Sequence, residues 1–514
     1  MYKNVLDYFS ETVNRFPERT AIIHNEESIT FLELKYKSIA LAKRLLADYN
    51  LPRRAPVAVF LPKSIEVVTS DLAVLYAGCF FSNLDVKTPV ERIHNILNVM
   101  QPAVIITNSK YIKLLEQCII DNIAIVNIED AVNQNIDENI ISEEICNRLE
   151  TQIDTDPFCI INTSGSTGTP KGVVLNHRSF FDFLNWAIEE FGFDENTTIG
   201  SLSPVVFDIY EFELCLMMFK GAKIVQLDAS LAAFPARLLT KLQDQHVNFI
   251  FWVPTIMVNI ANMGLLDKIA LPDLLLVWFA GEVFPTKQFN VWKSHLNQAK
   301  FVNLYGPIEI TLDCIYFIAE NVQDENKSLP IGVPCKNTDV LILNDQNELC
   351  RTGEIGEICV RGTSLAMGYY NNPEKTSSAF VQNPLNMAYP EQIYRTGDLA
   401  YTNDQGLIIF KGRKDSLIKH MGYRIELGEI EHLIVNKLKL VSNCCAVYDY
   451  SRKEINLFYE RKENITDSDI RKALINEVPK YMIPTKYMVL NEMPRNTNGK
   501  IDRLQLSNMV NLPQ

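Results

Sequence analysis

The feature that most constrains the fold is a regular alternation of two kinds of segment from the N-terminus to residue 340. Short apolar runs rich in β-branched residues, typical of buried strands, are separated by stretches with the period of an amphipathic helix. Such alternation predicts an α/β fold in which mostly parallel sheets carry helices on their faces. The predicted strands are residues 57–61, 103–107, 123–126, 158–162, 222–227, 247–251, 274–279 and 301–304, and the predicted helices include 32–47, 234–245 and 286–296.

The pattern changes twice beyond residue 340. Short strands at 340–343, 357–361 and 407–410, separated by Gly, Asn and Asp, predict a small antiparallel-rich subdomain over about residues 335–414. A charged turn at 412–415 precedes helices expected at 430–438 and 468–478 and strands expected at 446–448, 455–459 and 487–490. We therefore expect an N-terminal core over residues 1–414 and a smaller, mobile α+β domain over 415–514. The polar, acidic stretch 133–150 predicts a surface connection.

Composition excludes several classes of function. The 514 residues include 49 basic and 62 acidic side chains, a net charge of −13, so we expect no nucleic-acid partner. The sequence shows neither a signal peptide nor an apolar run of about 18 residues, so no membrane association is expected. The 11 cysteines are scattered without a Cys-x-x-Cys pair, which argues against a disulfide framework or a zinc module and favours the reducing cytoplasm.

The most informative segment runs from Thr163 to Gly172 and reads TSGSTGTPKG. Its glycines let backbone N–H groups approach an anion, its hydroxyls add donors, and Lys171 adds a positive charge. This composition predicts a phosphate-binding loop. The spacing differs from that of the common nucleotide-binding loop, which has Gly before and Ser or Thr after its Lys. A flexible surface loop is the alternative interpretation.

This segment resembles the signature of the adenylate-forming superfamily, which activates carboxylic acids with ATP. Further segments, spread over nearly the whole chain in the family's order, resemble the amino-acid adenylation domains of nonribosomal peptide synthesis and their stand-alone relatives. These segments are Phe207-Asp208, 303–309 (NLYGPIE), 353–357 (GEIGE), 394–399 (YRTGDL), 412–415 (GRKD), 422–431 (GYRIELGEIE), 480–484 (KYMIP) and 498–503 (NGKIDR).

The resemblance implies a role for each segment. Lys171 and the hydroxyls of 163–167 would hold the phosphates, and Glu309 would bind Mg²⁺ as a hard oxygen ligand. Lys500 would contact the reacting carboxylate and α-phosphate during adenylation, so Lys171 and Lys500 are the expected catalytic residues. Tyr305 would stack on adenine, and Asp398 would accept the ribose hydroxyls. The full set of expected ATP- or AMP-binding residues is Thr163, Ser164, Gly165, Ser166, Thr167, Gly168, Gly281, Glu282, Asn303, Tyr305, Gly306, Asp398 and Arg413.

The resemblance also implies a second step with a moving domain. Asp415 matches the family's hinge, about which the C-terminal domain would rotate so that the phosphopantetheine thiol of a carrier protein can attack the acyl-adenylate. Two positions depart from the family's pattern. Ile308 replaces a threonine beside Glu309, and Met421 replaces an arginine before Gly422, which puts details of the thiolation arrangement in doubt.

Asp208 indicates the class of acid. Amino-acid-activating relatives keep an aspartate here for the substrate's ammonium group, and a buried carboxylate needs such a cation. The alternative role is a helix N-cap before Ile209. The expected amino-acid pocket comprises Asp208, Ile209, Phe212, Phe251, Trp278, Ala280, Leu304, Leu312 and Asp313. This set resembles stand-alone prolyl-adenylating enzymes, so L-proline is favoured. Asp313 keeps serine open, with alanine and glycine.

The expected activity is therefore that of an amino acid–carrier protein ligase that forms AMP. Only residues 504–514 follow Arg503, so the carrier protein is expected in trans, the chain being either a discrete enzyme or a domain cut at a natural boundary. Two alternatives stay open. An acid:CoA ligase of the same fold is disfavoured by Asp208, and a non-catalytic binding module is disfavoured by the joint presence of Lys171, Glu309, Asp398 and Lys500.

Overall fold

The computed structural model describes residues 2–117, 123–132, 142–163, 170–414, 417–460, 465–495 and 501–511. Five sheets organise these residues, three in the N-terminal part and two in the C-terminal part. The predicted mixed α/β fold, with a large N-terminal part and a smaller C-terminal one, is confirmed. The domain boundaries at 335 and 414 stay predictions. Within the described ranges, no helix has the length and apolar character needed to cross a membrane.

The largest sheet has nine strands. Its six central strands are parallel, and antiparallel strands close both edges. The strands in spatial order are Val333–Pro334, Ile315–Ala319, Lys300–Tyr305, Leu276–Phe279, Phe249–Trp252, Thr198–Ser201, Lys223–Gln226, Thr20–His24 and Glu27–Thr30.

A second sheet of seven strands carries the predicted phosphate loop between two of its strands. Five strands form its parallel part and two antiparallel strands lie at one edge. The spatial order is Gly368–Tyr369, Lys171–Asn176, Pro157–Thr163, Phe80–Asn83, Pro56–Val59, Val104–Thr107 and Ala124–Asn127.

The third sheet is antiparallel, as the short glycine-bounded runs predict. Its strands are Thr338–Leu343, Gly356–Gly362, Gln392–Thr402, Phe380–Gln382 and Ile408–Arg413. The helices of the N-terminal part are Val5–Arg15, Phe31–Tyr49, Ile65–Tyr76, Val90–Met100, Ser109–Gln117, Ile128–Val132, Glu143–Glu150, His177–Phe191, Asp208–Lys220, Pro235–Asp244, Pro254–Asn262, Thr286–His295 and Pro373–Ala379. Short 3-10 turns span Ala229–Ala233 and Ile308–Ile310.

One helix differs from the sequence-based expectation. Of the stretch 133–150, predicted to be a surface connection, residues 133–141 lie outside the described residues, and Glu143–Glu150 forms a helix that is mostly exposed. Its Ile145 is fully buried, and the Arg148 guanidinium donates to the carbonyl oxygens of Ala77 and Leu51. The acidic composition did not indicate this helix, because only one apolar and one cationic side chain anchor it to the core.

The C-terminal part has its own apolar core of 17 buried side chains, among them Ile418, Ile425 and Leu457. Its strands are Leu417–His420 with Tyr423–Glu426 as a two-stranded hairpin, and Cys444–Asp449, Glu454–Glu460 and Lys486–Leu490 as a three-stranded sheet. Its helical segments are Leu427–His432, Leu433–Lys437 (a π turn), Asp467–Ile475, Lys480–Met482 (a 3-10 turn) and Arg503–Asn511.

Candidate active site

The candidate site lies where parallel strands of the nine-stranded sheet end. Phe249–Trp252, Leu276–Phe279 and Lys300–Tyr305 are adjacent and parallel, so their carboxyl ends meet at one edge, where ligands of open α/β sheets bind. The chain then turns back on itself at Gly306. A Cβ at Gly306 would lie 2.2 Å from the carbonyl oxygen of Leu312, so only glycine permits this approach. The close turn brings the segment 303–309 beside Asp313.

One end of the site contains the predicted phosphate-binding groups. Thr163 ends one strand and Lys171 begins the next, and the two residues face each other across the antiparallel pair. The remaining predicted loop residues, Ser164, Gly165, Ser166, Thr167 and Gly168, lie outside the described residues.

Glu309, the predicted Mg²⁺ ligand, lies at the same end in the 3-10 turn Ile308–Ile310 and is fully buried. It accepts hydrogen bonds from the Tyr369 hydroxyl at 2.8 Å and from Arg424 at 2.5 Å. Burial alone would raise the pKa of Glu309, but the positive charges of Arg424 and Lys171 lower it to about 2. The carboxylate is thus ionised, as a metal ligand must be.

Lys171 is also paired with a residue of the C-terminal part. Its ammonium group lies 3.2 Å from the carboxylate of Glu426, and both side chains are mostly buried. The same ammonium group lies 5.0 Å from the centre of the Tyr369 ring. At this end, both predicted ligands of MgATP therefore make ion pairs with the hairpin 417–426.

The other end contains the predicted adenosine-binding groups. Asp398 and Arg413 face each other on neighbouring strands, and the guanidinium donates to the carboxylate at 2.5 Å. The Tyr305 hydroxyl donates to the second oxygen of the same carboxylate. The Asn303 amide donates to the carbonyl oxygen of Pro330 at 2.7 Å. These contacts all lie within the N-terminal part.

A cavity of about 470 Å³ opens beside these groups. Seven predicted residues line it: Gly281, Glu282, Asn303, Leu304, Tyr305, Asp398 and Arg413. Leu304, predicted as part of the amino-acid pocket, thus lies in the larger cavity instead. Glu282 is held in place by the backbone and side chain of Thr255.

A second, small pocket of about 80 Å³ adjoins the large cavity. It brings together six of the residues predicted to bind the amino acid: Asp208, Ile209, Phe251, Ala280, Leu312 and Asp313. Phe212 and Trp278 lie behind this pocket, fully buried and stacked with ring centres 5.2 Å apart. They support its wall but do not line it.

The two carboxyl groups of the small pocket differ from ordinary surface acids. Asp208 is the first residue of the helix Asp208–Lys220, and burial raises its pKa to about 6, opposed by the charge of Lys419. Burial and the neighbouring Asp208 raise the pKa of Asp313 well above its usual range. A neutral Asp313 beside an ionised Asp208 would present a single negative charge to an occupant of the pocket.

The hairpin 417–426 closes the site from the C-terminal part. The backbone N–H of Gly422 donates to Glu282 at 2.9 Å, and Tyr423 stacks on Tyr481 with ring centres 3.5 Å apart. Met421, the departure from the family's pattern, has a φ of 53° in the turn of this hairpin. The predicted hinge residue Asp415 and the predicted catalytic residue Lys500 lie outside the described residues.

The charged residues of the hairpin 417–426 were not among the predicted site residues. Lys419 and Arg424 are direct cross-strand partners, and Glu426 lies two residues beyond Arg424 on the same face. Ile418 and Ile425 are also cross-strand partners, and both are buried in the core of the C-terminal part. This alternation of charged and apolar residues along both strands could have predicted that one face of the hairpin is charged. No comparable sequence pattern marks Tyr369.

Comparison with known proteins identifies a family and similar sequences. The family described as AMP-binding enzyme matches residues 9–370. Zwittermicin A synthase ZmaJ of Bacillus cereus is 31% identical over 509 residues, which cover 97% of this chain and 94% of that protein. Tyrocidine synthase 1 of Brevibacillus parabrevis is 30% identical over 506 residues, but the chain spans only 45% of its length.

Solved structures show the same fold. The Vibrio cholerae adenylation domain AlmE, in complex with glycyl-adenosine-5'-phosphate, superposes with a TM-score of 0.85 at 20% identity, covering 99% of this chain and 98% of that one. An artificially fused adenylation–PCP di-domain from Klebsiella oxytoca gives 0.80 at 22% identity, covering 95% and 94%. The resemblance to the adenylate-forming superfamily is confirmed, and that to prolyl-adenylating enzymes stays a prediction. The chain belongs to the AMP-binding enzyme family, and adenylation domains of nonribosomal peptide synthetases are among its relatives.

Proposed function

We propose that this protein activates a small amino acid with ATP as an aminoacyl-adenylate, releases pyrophosphate, and transfers the aminoacyl group to the phosphopantetheine thiol of a carrier protein acting in trans. The observation that carries this proposal is a pair of adjoining cavities. The larger one has the size and the polar groups for an adenosine monophosphate, and the smaller one has the half-buried carboxylate of Asp208 for an ammonium group.

The volume of the small pocket supports a compact substrate. About 80 Å³ admits the side chain of proline, serine, alanine or glycine, and the apolar walls of Ile209, Phe251 and Leu312 favour proline among them. Burial and the neighbouring Asp208 raise the pKa of Asp313, which disfavours the ionised form that a second cationic group on the substrate would need. We therefore propose L-proline first and the other three next.

ATP and Mg²⁺ would meet the groups already described. Glu309 is an ionised oxygen ligand suited to Mg²⁺, and Lys171 supplies a positive charge to the phosphates. Mg²⁺ would screen the negative charge of the triphosphate while the carboxylate of the amino acid attacks the α-phosphate. Asp398 can accept two ribose hydroxyls because its two oxygens are acceptors when ionised.

A third cavity of about 410 Å³ supports the transfer step. It lies between the N- and C-terminal parts and shares Phe207, Ile308 and Arg424 with the small pocket. Lys87 and Lys480 also line it, which suits the phosphate of a phosphopantetheine arm. We propose that the thiol enters here while the hairpin is docked as the structure shows.

The test is amino-acid-dependent exchange of labelled pyrophosphate into ATP over a panel of amino acids. We expect exchange with proline or another small amino acid, and none with aryl or fatty acids.

Asp208→Asn, which keeps the shape but removes the charge, should raise the KM for the amino acid about 10- to 100-fold. The exposed Asp267→Asn is the matched control. Absence of exchange across the panel would refute the proposal, and a CoA thioester as the main product would favour the acid:CoA ligase.

A further inference from the structure

The cavity of about 470 Å³ beside Asp398, here called the adenosine cavity, is bounded by both parts of the chain. Its N-terminal wall includes Gly281, Asn303 and Tyr305. Six residues of the C-terminal part line it as well: Leu417, Ile418 and Lys419 of the hairpin, and Tyr448, Tyr450 and Lys453 of the loop 448–453. A nucleotide that filled this cavity would therefore contact both parts at once.

The loop 448–453 has a fixed shape. The almost fully buried carboxylate of Asp449 accepts hydrogen bonds from the Ser451 hydroxyl at 2.6 Å and from the backbone N–H groups of Ser451 and Arg452 at 2.9 and 3.0 Å. Lys453 follows with a φ of 54°, a left-handed conformation that residues other than glycine rarely adopt. Such a turn holds its side chains in position before a ligand arrives, which lowers the entropic cost of binding.

This loop is joined to the hairpin on one side and to the N-terminal part on the other. The Tyr448 hydroxyl lies 3.0 Å from Nδ1 of His420, on the first strand of the hairpin. The ammonium group of Lys453 lies 3.5 Å from the hydroxyl oxygen of Thr255. Thr255 in turn donates to Glu282, the carboxylate that also accepts the backbone N–H at the turn of the hairpin. The loop therefore reaches the adenosine cavity when the hairpin is docked.

The mouth of the cavity has large side chains that are exposed to solvent. Tyr450 is 67% exposed and Val283 is 57% exposed, and both line the cavity from opposite parts of the chain. The ring of Tyr450 packs at right angles to that of Tyr448, with ring centres 5.0 Å apart. Exposed apolar surface around a cavity marks a ligand site, and an aromatic ring is a common stacking partner of a purine.

We propose that the loop 448–453 completes the adenosine site, with Tyr450 stacking on the purine of AMP or of the adenylate while the hairpin is docked. This inference rests on the proposed function. Gly281 and Tyr305 would contact the nucleotide from the N-terminal part, and Lys453 would hold the loop against Thr255. The nucleotide would thus be bound between the two parts.

This arrangement makes the nucleotide a determinant of docking. A ligand that contacts both parts binds the docked arrangement more tightly than the undocked one, so AMP would shift the protein towards docking. MgATP would act in the opposite direction, because its phosphates and metal need Lys171 and Glu309, which the docked hairpin occupies. AMP would then leave as the hairpin opens, which couples product release to the binding of the next ATP.

The first test is the affinity of the full chain for AMP, measured by equilibrium dialysis. Tyr450→Ala should weaken AMP binding about tenfold because it removes the stacking ring, and Tyr450→Phe should stay within about threefold of wild type because it keeps the ring. Tyr389→Ala, at an exposed tyrosine outside the cavity lining, is the matched control. An affinity within about threefold of wild type in Tyr450→Ala would overturn the proposal. Wild-type protein that bound neither AMP nor ATP would instead overturn the proposed function.

The second test asks whether the loop acts through docking. Arg424→Gln removes the ion pair of the hairpin with Glu309, so in this background the loop should lie over the cavity in a smaller fraction of molecules. Tyr450→Ala should then weaken AMP binding less than about threefold, against about tenfold in the wild-type background. An equal effect in both backgrounds would mean that Tyr450 acts independently of docking, which would overturn the proposal.

Hydrogen exchange follows docking directly. The backbone N–H of Gly422 donates to Glu282 across the interface, so its exchange rate reports the docked arrangement. Saturating AMP should slow this exchange about tenfold in the wild type, and MgATP should accelerate it. In Tyr450→Ala, the effect of AMP should shrink to about threefold or less. A Gly422 exchange rate that saturating AMP leaves unchanged in the wild type would contradict the link between nucleotide and docking.

Discussion

The two ends of the candidate nucleotide site satisfy their charges in different ways. At the adenosine end, Asp398 is paired with Arg413 and Tyr305 inside the N-terminal part, and a cavity of about 470 Å³ stays open. At the phosphate end, Glu309 and Lys171 are paired with Arg424 and Glu426 of the hairpin 417–426.

This difference indicates which ligands the arrangement admits. Arg424 occupies the carboxylate that Mg²⁺ would need, and Glu426 occupies the lysine that the phosphates would need. Under the proposed function, AMP or an adenylate would fit the open end, whereas MgATP would have to displace the hairpin. ATP binding and docking of the hairpin would therefore compete for the side chains of Lys171 and Glu309. Such competition fits a protein that completes one step before the next begins.

The largest expected effect is at the phosphate end. Glu309→Gln removes the charge that we propose binds Mg²⁺, so pyrophosphate exchange should fall about 100- to 1000-fold. The measurement is the exchange rate as a function of Mg²⁺ concentration, with the exposed Glu320→Gln as control. A loss of less than tenfold would show that Glu309 is not the metal ligand.

The adenosine end should respond differently. Asp398→Asn should weaken the charge-assisted hydrogen bonds that we propose Asp398 forms with the ribose, so the KM for ATP should rise about 10- to 100-fold with the Mg²⁺ dependence unchanged. Steady-state exchange at several Mg²⁺ concentrations checks this. If Asp398→Asn and Glu309→Gln changed the Mg²⁺ dependence alike, the division of the site into two ends would be wrong.

The competition itself can be tested at Arg424. Arg424→Gln leaves Glu309 buried without the cation that donates to it in the docked arrangement, which destabilises docking. We expect transfer to thiol to fall about tenfold, and half-saturation of exchange to occur at a lower Mg²⁺ concentration because Glu309 is released. Titration of Mg²⁺ in the exchange assay measures the second effect. An unchanged Mg²⁺ requirement would contradict the competition between Arg424 and the metal.

These contacts also show what the sequence could and could not predict. The strands were predictable because buried strands appear in the sequence as local apolar runs. Asp208 begins a helix, Glu309 follows a strand, and Asp398 lies within one. The pairing of Arg424 with Glu309 was not predictable, because 115 positions separate them and no local pattern encodes which surface a hairpin meets.

The sequence also could not predict which aromatic side chains line the small pocket and which lie behind it. Phe212 and Trp278 have the residue types of a pocket wall, yet they pack on each other behind it. Whether an aromatic ring lines a pocket or supports it depends on the packing of the layer in front. Here Phe251 and Ile209 form that layer.

The pH dependence should report on Asp208. Burial raises its pKa to about 6, and Lys419 and Glu309 act on it in opposite directions. Binding of an ammonium group needs the ionised carboxylate, so kcat/KM for the amino acid should fall below pH 6, by about tenfold at pH 5. Asp208→Asn should lack this limb of the profile. The same limb in Asp208→Asn would assign the titration to another group.

The smallest effect is expected at the rim of the interface between the two parts. Lys437 lies 2.9 Å from Glu91 there, but the two side chains are 38% and 48% exposed. Solvent screens such pairs, which contribute about 0–1 kcal/mol. Lys437→Ala should therefore change transfer and exchange by about twofold at most. A selective tenfold loss of transfer would contradict this expectation. It would mean that the exposed ion pair at the rim, and not the buried ion pairs of Arg424 and Glu426, determines docking.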